Sequence, residues 1–127
     1  MTSKVLLIED NEQNRYLVTF LLERHGYQVI AAADGLRGLE LARDHTPALI
    51  LLDVQLPTMD GYAVARALRT TAGLETIPII AVTSYAMPGD REKAMASGCD
   101  GYIEKPINPE TFVDELKESL LAARRAP

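Results

Sequence analysis

Five short apolar runs alternate with five stretches of helical periodicity along the 127 residues, and no other feature of the chain limits its fold as strongly. The runs are Val5-Leu6-Leu7-Ile8, Gln28–Ala32, Ala48-Leu49-Ile50-Leu51-Leu52 closed by Asp53, Ile77–Thr83 and Gly101–Glu104. Short continuous apolar runs of this kind read as strands buried on both faces, so each must lie inside a sheet covered above and below.

The stretches between them read as amphipathic helices. From Asn11 to His25 the apolar positions Tyr16, Leu17, Phe20, Leu21 and Leu22 recur at helical spacing, with Glu12 in the first turn and Gly26 past the end. Asp34-Gly35 opens a second helix to about His45, with Leu36, Leu39, Leu41 and Ala42 as its apolar face. Asp60-Gly61 opens a third to about Thr70 on Tyr62, Val64, Ala65 and Leu68, and Pro88-Gly89-Asp90 a fourth to about Ser97, stopped by Gly98. Asn108-Pro109-Glu110 caps the last, whose stripe is Phe112, Val113, Leu116, Leu120 and Leu121. Asp34, Asp60 and Asp90 are read as helix caps rather than reacting groups.

Strict strand–helix alternation with short connections requires parallel strands and right-handed crossovers, so helices must cover both faces of one sheet. The expected fold is α/β: a doubly wound (βα)5 five-stranded parallel sheet in the order 2-1-3-4-5, a flavodoxin-like three-layer sandwich. That order sets strands 1 and 3 side by side at the switch point where such sheets bind ligands.

A chain of this length supports one core, and 47% hydrophobic with 24% charged residues is an ordinary globular composition. A net charge of −5 without a basic stripe argues against nucleic-acid binding. The Arg124-Arg125 pair is too small for a polybasic anchor and is read as a solvated terminus. Cys99, the single cysteine, excludes an internal disulfide and a multi-cysteine zinc site, and its neighbours suit packing. No run approaches the roughly 18 apolar residues of a membrane span, so no membrane role and a cytoplasmic location are expected. His25 and His45, near helix ends, read as surface residues rather than ligands.

Four strand ends on one rim carry polar groups: Glu9 and Asp10 after strand 1, Asp53 after strand 3, Thr83 after strand 4 and Lys105 after strand 5. Crowded carboxylates repel unless a cation sits among them, and a set of oxygen donors suits a hard divalent ion, Mg2+, better than zinc or copper. Lys105 can pair with a carboxylate or with an oxygen of a bound phosphoryl group, and Thr83 can donate a hydrogen bond to the same group. Together these groups describe phosphoryl transfer with an ionised carboxylate, Asp53, as nucleophile and no general base.

Glu9-Asp10-Asn11, Leu52-Asp53 with Leu56-Pro57 and Met59-Asp60-Gly61, Ala81-Val82-Thr83 and Lys105-Pro106 occur in the order and spacing of the receiver domain of bacterial two-component response regulators, which the chain resembles over nearly its whole length. The resemblance implies a receiver domain over residues 1–123 with a short tail at 124–127. It implies that Asp53 accepts phosphate from a sensor histidine kinase or histidine phosphotransfer protein. Mg2+ would be bound by Glu9, Asp10, Asp53 and the Gln55 main-chain carbonyl, while Lys105 and Thr83 contact the phosphoryl group. Glu9 stands where the family more often has Asp, so its contact with the ion is expected to pass through water. The Lys105–Pro106 bond is expected to be cis, and Thr83 with Tyr102 to form the switch pair, read out on helix 4, strand 5 and helix 5.

Glu9-Asp10-Asn11-Glu12, Gln55-Leu56-Pro57, Ala86-Met87-Pro88-Gly89-Asp90 and Lys105-Pro106-Ile107 narrow the resemblance to stand-alone regulators of the DivK type. Such a protein catalyses its own phosphotransfer and dephosphorylation but serves as a signalling switch, acting on a downstream protein as a monomer or a phosphorylation-dependent dimer. A receiver cut from a hybrid histidine kinase and a constitutive receiver-like binding module are the alternatives. A flavodoxin-like cofactor binder is disfavoured because the first strand–helix turn is acidic where a phosphate cradle needs glycines. Tyr85 is a candidate shield for the acyl phosphate, and Met87 with Met95 candidates for an adaptable contact surface or for packing.

Overall fold

The computed structural model describes residues 3–56, 59–84 and 88–125. Tyr85 and Met87 lie outside the described residues. The element order is β1 (Lys4–Ile8), α1 (Glu12–Arg24), β2 (Gln28–Ala32), α2 (Gly35–His45), β3 (Leu49–Asp53), α3 (Gly61–Arg69), β4 (Ile79–Thr83), α4 (Asp90–Ala96), β5 (Gly101–Glu104) and α5 (Phe112–Arg125). All strands pair in parallel, as the alternation requires, and their order is the expected β2-β1-β3-β4-β5.

Successive strand residues point to opposite faces, and this period of two divides the core. Leu6, Ile8, Ile50, Leu52, Ile79 and Ala81 pack beneath α2, α3 and α4 with Leu41, Val64, Leu68, Ala94 and Cys99. Val5, Leu7, Leu49, Leu51, Ile80 and Ile103 pack beneath α1 and α5 with Val18, Leu21, Leu22, Phe112 and Leu116. Both faces of β1, β3 and β4 are therefore apolar, which is why their sequences are continuous rather than alternating. Burial pushes the Cys99 thiol up to about 11, with Arg69 opposing and Asp100 adding, so it behaves as a small core residue.

Local chemistry starts most helices as expected. Asn11, Asp34 and Asp60 accept hydrogen bonds from the main-chain N–H groups of Asn14 (2.9 Å), Arg37 (2.8 Å) and Tyr62 (3.1 Å). Asp90 is different: it is the first residue of α4, and Gly89 holds the cap position with a φ of 91°. The last helix also starts later than its sequence signals. Asn108 caps a separate turn by accepting from the Glu110 N–H (3.0 Å), and α5 begins at Phe112. It then runs through Arg125, into the stretch expected as a tail. β4 likewise starts at Ile79, not Ile77.

Two apolar faces differ from the sequence reading. On α1 the buried residues are Val18, Leu21 and Leu22, while Tyr16 is 75% and Phe20 46% exposed. Tyr16 and Phe20 form a neighbouring i, i+4 row turned away from the sheet, and the Arg24 guanidinium lies over the Phe20 ring at 5.5 Å. On α2, Leu36 is 65% exposed, and Gly35 and Gly38 face inward instead. A Cβ at Gly38 would stand 2.5 Å from the Ile8 side chain, so the helix approaches β1 through its glycines. Leu121 of α5 is also exposed, whereas Phe112, Val113 and Leu116 are buried as expected.

Far from the strand ends that carry the acids, Arg69 ties α3 to the β4–β5 side. Its guanidinium donates to the carbonyls of Gly98 (2.8 Å) and Ile77 (2.6 Å) and pairs with Asp100 at 2.5 Å, which also accepts from the Ile79 N–H.

Candidate functional site: an acidic strand-end cluster

Register alone brings the acids together. Ile8 pairs with Leu52, so the next residues, Glu9 and Asp53, stand opposite each other at the carboxyl ends of β1 and β3. Both continue the odd-numbered positions that face α1 and α5, as does Lys105 after Ile103. Glu9 and Asp53 are each only 3% exposed, whereas Asp10 is exposed. One carboxylate oxygen from each of Glu9, Asp10 and Asp53 lies within 4.8 Å of the other two.

Lys105 closes the group. Its ammonium donates to Glu9 Oε1 at 2.6 Å and to Asp53 Oδ2 at 3.4 Å. The main chain holds the remaining oxygens: the Gln55 N–H donates to Asp53 Oδ1 (2.8 Å) and the Asn11 N–H to Glu9 Oε2 (3.2 Å). Arg15, on α1, donates from Nη1 to the carbonyls of Glu9 (2.9 Å) and Asp10 (3.0 Å), clamping the acidic turn from behind.

Burial without enough compensating charge marks Glu9. Desolvation and a hydrogen bond with the facing Asp53 carboxyl raise its pKa to about 7, and the Lys105 ammonium only partly offsets them. For Lys105, burial works against the charged form, but the hydrogen bond to Glu9 and the charge of Asp53 outweigh it and raise its pKa. One ammonium among three carboxylates leaves net negative charge in a site made of oxygen donors. That chemistry fits a hard divalent cation such as Mg2+.

Beneath the cluster is a void of about 10 Å3 lined by Leu7, Val18, Leu51, Ile107 and Phe112, so the carboxylates rest on an apolar floor. Beside it, an open cleft of about 420 Å3 runs between Asn14 and Leu17 of α1 and the turns carrying Ser84, Lys105, Pro106 and Ile107. The Lys105–Pro106 bond is cis. Gly61 shapes the far lip. A Cβ there would collide with the Val54 main chain, and the Gly61 N–H donates to the Val54 carbonyl (3.2 Å), folding the loop after Asp53 back on itself.

Thr83 ends β4 and is buried, and the Lys105 N–H donates to its carbonyl at 2.7 Å. Tyr102 lies on β5, half-buried against the core beneath α2, α3 and α4. Burial and the charges of Asp90 and Glu104 raise its phenol pKa, with Arg91 opposing. The structure thus brings Glu9, Asp10, Asp53 and Lys105 into one cluster, with Gln55 and Thr83 on its margin and Tyr102 one strand away. His25 and His45 are not part of it; His25 caps α1, its Nδ1 2.9 Å from the Leu21 carbonyl. Arg15 and Ser84 are parts of the surroundings that sequence does not single out. An arginine on an exposed helix reads as a solvated charge, and a serine after a strand as a turn residue.

A family profile described as "Response regulator receiver domain" matches residues 5–117. The chain is 45% identical over 120 residues to the polar-differentiation response regulator DivK of Brucella ovis, covering 94% of this chain and 98% of that one. Among solved structures it resembles the chemotaxis response regulator CheY4 of Vibrio cholerae, with a TM-score of 0.88 and 32% identity over 94% of this chain and 99% of that one. It also resembles the receiver domain of the sensor histidine kinase PA1611 of Pseudomonas aeruginosa, which holds a magnesium ion in its active-site cleft. There the TM-score is 0.85, with 32% identity over 94% and 98% of the two chains.

Proposed function

The chain belongs to the response regulator receiver domain family, and on that premise we propose that Asp53 is the phosphoacceptor of a signalling switch, loaded by a sensor histidine kinase or a histidine phosphotransfer protein. The observation that carries this reading is the convergence of Glu9, Asp10, Asp53 and Lys105 at one strand-end rim. Asp53, like Glu9, is held on both oxygens, in its case by the Gln55 N–H and by Lys105, and so is presented in a fixed orientation.

In the transfer, an Asp53 carboxylate oxygen forms a bond to phosphorus as the phosphorus–nitrogen bond of the donor's phosphoimidazole breaks, its electron pair remaining on nitrogen. No base takes part, because the nucleophile is already an anion. Lys105, now shared between Glu9 and Asp53, would contact the transferred group, and Thr83 would donate its hydroxyl to it. Mg2+ held by Glu9, Asp10, Asp53 and the Gln55 main-chain carbonyl would neutralise charge between the nucleophile and the phosphoryl oxygens. The open cleft between α1 and the turns at Ser84 and Lys105 leaves room for a donor to approach.

The output is contact with a downstream protein through α4, β5 and α5, where Tyr102 lies. Moving such a switch from 1:99 to 99:1 takes about 5.5 kcal/mol of differential stabilisation, within reach of a few charge-assisted contacts. The receiver is assigned to residues 1–123 and its location to the cytoplasm. Incubation with Mg2+ and acetyl phosphate should add the mass of one phosphoryl group to the wild type and none to Asp53→Asn. A wild type that gains nothing refutes the assignment.

A further inference from the structure

Arg15 stands where its charge gains nothing from its own helix. It lies in the first turn of α1, where the helix dipole disfavours a cation. Helical side chains slope toward the N-terminus, and this one reaches back over the turn between β1 and α1. There a single nitrogen, Nη1, donates to the carbonyls of both Glu9 (2.9 Å) and Asp10 (3.0 Å). The second carbonyl belongs to the Asp10–Asn11 peptide, which is trans, so its N–H points the opposite way. That N–H donates to Glu9 Oε2 at 3.2 Å. One rigid peptide is thus pinned between the guanidinium on one edge and the Glu9 carboxylate on the other.

We propose that Arg15 is a positioning residue for the divalent cation, fixing the Glu9 carboxylate through the Asp10–Asn11 peptide without touching either the carboxylate or the ion. This rests on the reading of Glu9, Asp10 and Asp53 as the metal ligands of a phosphoacceptor site. Glutamate has one rotatable bond more than aspartate, so a buried Glu9 costs more to hold in one orientation, and Lys105 restrains its Oε1 at 2.6 Å but leaves Oε2 to the Asn11 N–H. A donor on the peptide carbonyl polarises the amide and strengthens the bond that its N–H makes. As a bare charge, by contrast, Arg15 would repel the ion. Positioning and charge therefore act with opposite signs: losing the first weakens Mg2+ binding, and losing the second strengthens it.

Calorimetric titration of the whole chain with Mg2+ at about pH 8, where the ligands are deprotonated, tests this. Arg15→Met keeps an unbranched stem without the donor and should bind Mg2+ about tenfold more weakly, the lower end of the range for residues that orient metal ligands, because Arg15 is only half-buried. Arg15→Lys, with the charge on a shorter stem, should fall between Arg15→Met and the wild type. In a Glu9→Ala background Arg15→Met should cost less than about twofold, because the carboxylate it orients is gone. By NMR of the metal-free protein, Arg15→Met should move the Asn11 amide proton upfield while the Gln55 amide, bonded to Asp53 Oδ1, holds its place. Arg15→Met binding Mg2+ as tightly as the wild type or tighter, an undiminished loss in the Glu9→Ala background, or an Asn11 amide that stays put or moves together with Gln55 would overturn the positioning role and leave the metal site standing. A wild type that binds no Mg2+ removes both.

Discussion

Mg2+ binding should be strongly pH-dependent across neutrality, because the ion and a proton compete for Glu9. Burial, with the facing Asp53 carboxyl, raises the Glu9 pKa from 4.5 to about 7 despite Lys105 at 2.6 Å. If the ion needs the ionised form, the apparent dissociation constant is multiplied by one plus the ratio of protonated to ionised Glu9. That factor is about 1.1 at pH 8 and about 11 at pH 6, a tenfold loss of affinity worth about 1.4 kcal/mol. Calorimetric titration in buffers of different ionisation enthalpy should show about half a proton released per ion at pH 7 and close to one at pH 6. Glu9→Gln should flatten the profile between pH 6 and 8. The sign for the metal-free protein is opposite to that of a salt-bridged acid: the folded state holds the proton more tightly than the unfolded chain. Stability should therefore fall as pH rises from about 4.5 to about 7, and Mg2+ should restore it. An affinity constant within twofold from pH 6 to 8, with no proton release, would refute the competition of proton and ion for Glu9.

Three further substitutions probe the frame that holds the site. Phe112→Ala empties the apolar floor beneath Glu9 and Asp53, where Phe112 is fully buried, and should cost about 3 to 5 kcal/mol in urea unfolding. Gly61→Ala drives a methyl group into the Val54 main chain and should cost about 1 to 3 kcal/mol, with Mg2+ affinity reduced because Gln55 sits on the same loop. Arg69→Ala should lose about 2 kcal/mol by stranding Asp100 and the carbonyls of Ile77 and Gly98. Arg69→Lys should not recover it, since one ammonium cannot reproduce the planar fork, and thermal melts of both variants check the pair.

The sheet order and the acidic cluster were legible because both depend on rules that act along the chain. Alternation of strands and helices leaves few topologies, and a strand's end is visible where an apolar run meets a charge. The faces of α1 and α2 were not. Apolar residues occupy 16, 17, 18, 20, 21 and 22, so two helical stripes overlap, and only the sheet beneath selects the one through Val18 and Leu22. On α2 the inward positions include Gly35 and Gly38, which no hydrophobic pattern marks; their value is the room they leave for Ile8 and Val64. Asp90 reads as a cap from composition, yet the chain enters α4 through Gly89 at positive φ. The Arg15 clamp and the Gln55–Ser84 contact depend on where separate loops meet, which spacing does not encode.

The period of two that divides the core also constrains how the proposed switch can work. Glu9, Asp53 and Lys105 continue the rows facing α1 and α5, whereas Thr83 continues the row of Ile79 and Ala81, and Tyr102 packs on that same opposite face. A change of charge at Asp53 therefore arises on one side of the sheet, and the tyrosine proposed to report it lies on the other. The signal has to pass around the carboxyl end of β4, where Thr83 is fixed through its carbonyl to the Lys105 N–H and Ser84 is fixed to Gln55. Both ties link that strand end to residues that touch Asp53 directly, Lys105 through its ammonium and Gln55 through its N–H. Phosphorylation cannot rearrange either group without altering a restraint on Thr83 or Ser84. The coupling then needs no long pathway, only the few bonds at one strand end that the new phosphoryl oxygens would contest.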